Sequence, residues 1–274
     1  MKYNIKPKDV KRIKIQIDKI IKLFDRNMNI LDFLKEFCNN FYSEFCDYPE
    51  RERINRVYEH SIRVFENLKM MIKYIDSQGI LIKPELMADV TIATLLHDIG
   101  KLYKDNSKHN IYSYIMVDHL LSINNELSYE RKERIKNAVL YHSDKEKYVE
   151  CIDFCTKLLR DADTLDEEAG NGLYELLMVN SVTNSKKGTL NKVDYSLSDQ
   201  ILFDKTDYNH KEKVRNKLNT IYGKQMYDYL LYDASARYFE IRYKDINNKD
   251  IIQNLLNFRG LKTFDDSKLK IFIN

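Results

Sequence analysis

Apolar residues recur every three or four positions along most of this 274-residue chain. This spacing places side chains on one face of an α-helix. The chain has only seven glycines and three prolines, which is few for an architecture built from tight turns and strands. Its length allows one large domain or two small ones. The sequence therefore predicts an all-α fold with a substantial core.

Two apolar series near the start of the chain predict a helical hairpin. One runs from Val10 to Phe24 and the next from Ile30 to Phe45, and Pro49 then interrupts the pattern. Their common helical period lets them pack against each other.

Three segments follow from these patterns. We expect residues 1–50 to form an N-terminal helical extension packed on the core. Residues 51–180 form the core itself, and residues 181–274 form a mostly helical C-terminal extension.

The net charge of +3 is too small to indicate a nucleic-acid partner by itself. Its distribution is uneven, because residues 1–26 hold nine Lys and Arg against three Asp. A packing helix with a solvated lysine face explains this segment, and a role in binding an anionic ligand or a membrane surface is the alternative.

The hydropathy pattern predicts no membrane-spanning segment, since no apolar run approaches the roughly 20 residues that a bilayer requires. No signal-peptide pattern is seen at the N-terminus either. The four cysteines form no CxxC pair, which favours reduced, buried thiols. We therefore expect a cytoplasmic protein.

The doublet His97-Asp98 ends an apolar run that begins near Pro84. We expect a helix there that Gly100 terminates, with the doublet in its last turn. Upstream, His60 shares an apolar helical face with Val57 and Val64, so it points inward.

A buried carboxylate is predicted downstream, because Asp163 follows Leu159 by four residues on an apolar helical face. Together with His60, His97 and Asp98 it forms a set whose burial without a cation is costly. Mixed imidazole and carboxylate ligands favour manganese, iron, cobalt, nickel or zinc over calcium, with magnesium as a further candidate.

These residues resemble a known signature. His60, the His97-Asp98 doublet and Asp163 are similar to the H…HD…D pattern of the HD superfamily of metal-dependent phosphohydrolases, and the resemblance covers about residues 52–180. It implies a helical bundle around one or two metals. The implied reaction is hydrolysis of a phosphoester bond, often in a nucleotide, by metal-activated water.

The resemblance also implies roles for single residues. His60, His97, Asp98 and Asp163 are the metal ligands, with Asp161 as the fallback for the last, and Asp98 orients the attacking water. His109 and His142 either hold a second metal, or bind the substrate phosphate or act as acid when one metal is present.

Five further residues are candidates for contact with the substrate, and for each of them an ordinary solvated position is the alternative. Lys101 would help to neutralise the phosphate, and Arg56 or Arg63 would grip it. Asp166 is a candidate general acid, and Glu167 a contact to the substrate, such as a sugar hydroxyl.

Several functions remain open. A nucleoside monophosphate phosphatase, a cyclic-nucleotide phosphodiesterase and an alarmone pyrophosphohydrolase all fit the leading hypothesis. A catalytically silent nucleotide-binding module is the main alternative; a nucleic-acid enzyme and a dioxygen-using di-iron protein are less favoured. The sequence does not determine the oligomeric state.

Overall fold

A computed structural model describes residues 5–23, 28–43, 51–103, 108–143, 153–182, 195–243 and 249–261. All regular secondary structure in these residues is helical, which confirms the all-α prediction. The elements are α1 (Pro7–Ile21), α2 (Ile30–Ser43), α3 (Arg51–Ser77), α4 (Pro84–Leu96), a short 3-10 helix (Ile99–Leu102), α5 (His109–Ile123), α6 (Tyr129–Tyr141), α7 (Phe154–Glu168), α8 (Gly170–Val182), α9 (Ser196–Thr206), α10 (Tyr208–Lys217), α11 (Ile221–Arg242) and α12 (Lys249–Phe258).

The chain forms two compact units. The first contains Met1–Leu68 and Ile82–Arg160, and the second contains Lys69–Leu81 and Asp161–Asn274. The division falls inside α3 and inside α7. The division into an N-terminal extension (residues 1–50), a core (51–180) and a C-terminal extension (181–274) stays a prediction.

In the first unit, α5 packs against α1, α6 and the 3-10 helix. Helix α2 contacts α1 and α4, and α4 contacts α6. The predicted N-terminal hairpin is therefore present, and α1 buries Ile13, Ile17 and Ile20 in the core.

A buried ion-pair cluster joins α4 to α6. Asp89 on α4 is fully buried, and its two carboxylate oxygens lie 2.7 Å from Arg131 Nη2 and 2.6 Å from Arg134 Nη1 on α6. Two guanidinium groups compensate the cost of burying the carboxylate, so loss of either partner is unfavourable. This cluster restrains two helices whose C-terminal ends carry His97 and His142.

The predicted start of α4 is confirmed, and residues suited to helix ends also lie after α3 and before α6. Pro84 lies in the first turn of α4, Gly79 follows the end of α3 with a φ of 75°, and Ser128 caps α6 by accepting a hydrogen bond from Arg131 N. These positions match the backbone preferences of the residues involved.

The predicted end of α4 was wrong. The helix ends at Leu96, so His97 and Asp98 lie in the turn after it, and Gly100 belongs to the 3-10 helix. The His97 side chain bonds the carbonyl of Thr94, one of the carbonyls that a helix end leaves without a backbone partner. Asp98 then leaves helical geometry, with φ −110° and ψ 5°.

In the second unit, α8 contacts α9 and α11, α9 contacts α10, and α11 contacts α12. Asp161 caps α11 from a distance in sequence: its oxygens accept hydrogen bonds from the backbone N–H groups and the side chains of Asn219 and Thr220. Burial raises the pKa of Asp161, and these hydrogen bonds oppose the rise. Gly223 leaves room for the carboxylate, since a Cβ there would lie 2.5 Å from Asp161 Oδ2.

The thiol prediction is confirmed for two cysteines. Cys38 and Cys155 are buried and not in disulfides, and burial raises the pKa of Cys38 to about 12. Cys46 and Cys151 lie outside the described residues.

No helix in the described part of the chain combines the length and apolarity needed to cross a membrane.

We predict that Asp161→Ala lowers the free energy of unfolding by about 2–4 kcal/mol, because it removes a buried acceptor and leaves its donors unsatisfied. Urea denaturation followed by circular dichroism measures this. The matched control is Asp76→Ala, which removes an exposed carboxylate on α3 and should change stability by less than about 0.5 kcal/mol. Equal effects of the two substitutions would contradict the capping role.

Candidate metal centre

The carboxylate of Asp98 lies at the centre of a histidine cluster. Asp98 is 1% exposed, and its Oδ2 is 3.3 Å from His60 Nε2 and 3.5 Å from His97 Nε2. The two Nε2 atoms are themselves 3.3 Å apart. The ammonium group of Lys101 lies 2.5 Å from the same oxygen.

A second histidine pair faces the other carboxylate oxygen. Asp98 Oδ1 is 3.3 Å from His109 Nε2 and 3.4 Å from His142 Nε2, and these nitrogens are also 3.3 Å apart. Oδ1 is buried and accepts no hydrogen bond from the described residues. Each oxygen of the carboxylate thus faces one histidine pair, and Oδ2 alone also faces Lys101.

The protonation of two ring nitrogens follows from their partners. His97 Nδ1 lies 2.7 Å from Thr94 O, and His142 Nδ1 lies 2.6 Å from Val139 O. A carbonyl oxygen only accepts hydrogen bonds, so each Nδ1 must carry the hydrogen. In the neutral ring, Nε2 then presents a lone pair to the cluster, which is the orientation of a metal ligand.

His97 and His142 reach the cluster by the same local device. Each is the residue that follows the last turn of its helix, α4 or α6, and each ring folds back to the carbonyl three residues earlier. The helix end fixes the ring, and the ring provides a partner for an end carbonyl. The same backbone geometry therefore directs the Nε2 atoms of both His97 and His142 toward Asp98.

This donor set fits a divalent metal. In their neutral rings His97 Nε2 and His142 Nε2 are acceptors, and the Asp98 oxygens that lie 3.5 Å and 3.4 Å from them are acceptors as well, so lone pairs face one another. A cation between them resolves the conflict. Nitrogen ligands about 2.0–2.1 Å from a tetrahedral metal stand about 3.3 Å apart, which matches both Nε2 pairs. The nearest ligand atoms of His97, Asp98 and His142 lie within 4.8 Å of one another.

The electrostatics keep Asp98 ionised. Burial by itself raises the pKa of this carboxyl, but His97, His142, His60 and Lys101 together lower it well below its ordinary value. A carboxylate is the form that binds a metal.

Gly100 sets the approach of His109 to Asp98. Its N–H donates to Ser113 Oγ at 2.8 Å. A Cβ at Gly100 would lie 2.2 Å from His109 O and 2.4 Å from Ser113 N. Since both contacts involve backbone, the 3-10 helix can lie this close to the start of α5 only with glycine at this position.

The other predicted site residues lie on α3 and α7. On α3, Arg56 is exposed and Arg63 is half-buried. On α7, Asp163 and Asp166 are buried at 3% and 2% exposure, whereas Glu167 is exposed. The alternative of a solvated position is therefore wrong for Asp166. The roles of all five residues stay predictions.

The remaining histidines of the described residues have partners outside the cluster. His119 Nε2 lies 2.7 Å from Asp18 Oδ1, and His210 Nε2 lies 3.0 Å from Glu168 Oε2.

Sequence reasoning missed the residues that support the cluster. These are the carbonyls of Thr94 and Val139, the hydroxyl of Ser113, and the ion pairs of Asp89. A histidine directly after an apolar helix run was the available signal for the first two. Neither Ser113 nor Asp89 carries a comparable signal, because their partners are distant in sequence.

A family model for the HD domain matches residues 57–168. This segment, about two fifths of the chain, is similar to the HD domain. The matched segment contains both histidine pairs, Asp98 and Asp163. HD domains are typically metal-dependent hydrolases, and the His/Asp cluster of this one could hold a divalent metal. No curated protein and no solved structure matches the chain.

We predict that Gly100→Ala lowers the free energy of unfolding by about 1–3 kcal/mol, because the added methyl group forces the 3-10 helix away from α5. Thermal and urea unfolding measure the change. Ser113→Ala is the companion variant: it removes only the acceptor of the Gly100 N–H and should cost about 1 kcal/mol. If Gly100→Ala were as stable as the wild type, the close approach of the 3-10 helix to α5 would not require glycine at position 100.

Proposed function

We propose that this protein is a metal-dependent phosphohydrolase that cleaves a phosphoester bond of a nucleotide or a related small phosphorylated metabolite. The observation that carries the proposal is the Asp98 carboxylate, buried between two pairs of inward-facing imidazole nitrogens. A purely structural core has no need of four histidines around one carboxylate.

The arrangement favours two metal sites over one. His60 and His97 face Oδ2 of Asp98, and His109 and His142 face Oδ1. Each pair would hold one ion, with Asp98 as a further ligand. This gives His109 and His142 a role as ligands, in preference to phosphate binding.

Asp163 is our candidate for the remaining ligand of the His60–His97 site. It is buried on α7 and lies within the segment that the HD model matches. Asp161 is the weaker candidate, because both of its carboxylate oxygens already accept hydrogen bonds from Asn219 and Thr220.

Bound divalent ions would supply an activated water and neutralise the phosphoryl oxygens as charge shifts in the transition state. The chain's own residues have complementary tasks. Asp98 would orient the water, because its carboxylate lies between the two histidine pairs. Lys101 places a positive charge beside Asp98, where it would counter the charge of a bound phosphate.

Substrate recognition is assigned to residues near both ends of the matched segment. Arg56 or Arg63 would grip a phosphate through the guanidinium fork. Asp166 would serve as general acid and Glu167 would contact the rest of the substrate, for example a sugar hydroxyl. The family resemblance supports a nucleotide as substrate. A silent nucleotide-binding module is disfavoured, since every ligand of the signature is present.

We predict that the purified protein binds about two equivalents of manganese or another divalent transition metal. Asp98→Asn should lose both equivalents, and His142→Ala one, with the helical circular dichroism spectrum retained. Elemental analysis after desalting measures this. His119→Ala, whose ring contacts Asp18 instead, is the control and should bind as the wild type does. Full metal content in Asp98→Asn would overturn the site.

We predict phosphate release from at least one compound in a panel of nucleoside monophosphates, polyphosphates and cyclic nucleotides with added manganese. A phosphatase is coupled to the cyclic series to detect phosphodiester cleavage. His97→Ala and Asp98→Asn should lower kcat/KM at least about 100-fold. Lys101→Met should lower kcat/KM by at least about 100-fold as well, but with the metal content unchanged.

Metal content and phosphate release together distinguish a phosphohydrolase from a catalytically silent module. Metal binding without turnover on any compound would favour the silent module. Turnover that survives chelation and the Asp98→Asn substitution would exclude the proposed chemistry.

A further inference from the structure

Helix α1 carries a basic stripe that the proposed hydrolase does not use. At about 100° per residue, five residues of α1 fall within about 100° of the helix circumference, and two more, Lys22 and Leu23, directly follow its last residue Ile21. They are Lys8, Lys11, Arg12, Ile15, Lys19, Lys22 and Leu23, here called the basic stripe. Every member is exposed, and the stripe is about 21 Å long from Lys8 to Lys22 at 1.5 Å per residue.

The acidic residues of this helix lie outside the stripe and have partners. Asp9 Oδ1 accepts a hydrogen bond from the Tyr103 hydroxyl at 2.9 Å, and burial raises the pKa of Tyr103 to about 12, so the hydroxyl keeps its proton. Asp18 lies 2.7 Å from His119. Neither carboxylate lies within the arc of the stripe, although Asp18 borders it at Lys19, so the lysines and the arginine leave the stripe with a net positive charge.

Two apolar side chains interrupt the stripe where solvation alone would favour polar ones. Ile15 is 47% exposed in its middle, and Leu23 is 69% exposed at its end. The opposite face of α1 is already used, because Ile13, Ile17 and Ile20 are buried in the first unit. The helix therefore stays attached to the fold and offers a fixed basic face.

We infer that the basic stripe docks the protein on the surface of an anionic phospholipid bilayer. Clustered lysines and arginines are attracted to anionic headgroups, and Ile15 and Leu23 would enter the interfacial layer, where an apolar side chain gains by leaving water. Nucleic acid would satisfy the charges equally well. Binding to nucleic acid would leave Ile15 and Leu23 exposed to water, however, and α1 has no aromatic residue on which a base could stack.

The test is sedimentation of the full-length protein with sucrose-loaded vesicles. One set of vesicles contains phosphatidylserine in phosphatidylcholine, and the other contains phosphatidylcholine alone. We expect binding to the anionic vesicles only, weakened by added salt. Replacing Lys8, Lys11 and Lys22 with glutamate together should weaken it at least about 100-fold.

The matched control reverses three exposed lysines elsewhere, Lys73, Lys213 and Lys224, and so gives the same net charge. It should bind anionic vesicles as the wild type does within about threefold. The pair Ile15→Ser and Leu23→Ser should weaken binding about tenfold or more without any change in charge. Circular dichroism shows whether each variant keeps its helices.

Two outcomes overturn the inference. One is equal binding of the stripe variant and the control variant, or no binding of the wild type to anionic vesicles. The other is stripe-dependent binding to a DNA duplex or single-stranded RNA, measured by fluorescence anisotropy, without binding to vesicles; this would assign the stripe to nucleic acid.

Discussion

The burial of one ionised carboxylate governs the organisation of the first unit. Asp98 is almost entirely removed from solvent, and an isolated carboxylate in that position would be strongly destabilising. Four imidazole rings and one ammonium group surround it. His97, His142, His60 and Lys101 hold its pKa well below the ordinary value. His60 lies on α3, Lys101 in the 3-10 helix and His109 on α5, and the turns after α4 and α6 bring His97 and His142 to the same point. The packing of α3, α4, α5 and α6 therefore depends on the burial of a single carboxylate.

Much of the supporting structure acts through backbone atoms. His97 and His142 are held by carbonyls at the ends of their own helices, and the helices are joined by Asp89 with its two arginines. Gly100 lets the chain after Asp98 touch the start of α5. These contacts use helix-end carbonyls and the backbone of a glycine, so the positions of the ligand nitrogens depend little on flexible side chains. Such rigidity suits a preorganised metal centre.

A symmetric environment around Asp98 has a chemical consequence. A carboxylate with a histidine pair facing each oxygen would serve as a ligand for divalent metal ions held by those pairs, and such ions would supply an activated water. Lys101 adds positive charge on one side only. This asymmetry distinguishes the two halves of the centre, and under the proposed function it would favour an anionic substrate on the Lys101 side. The same first unit carries the basic stripe of α1.

The sequence by itself determined the helical class, the start of α4 and the inward direction of His60, because helical periodicity is a local property. The signature also identified the HD family. Only the tertiary structure decided that His109 and His142 face the second oxygen of Asp98, that Asp161 caps α11, and that α4 ends before the doublet. These depend on contacts between residues distant in the chain, or on side chains that compete for helix-end carbonyls, and neither leaves a periodic trace in the sequence.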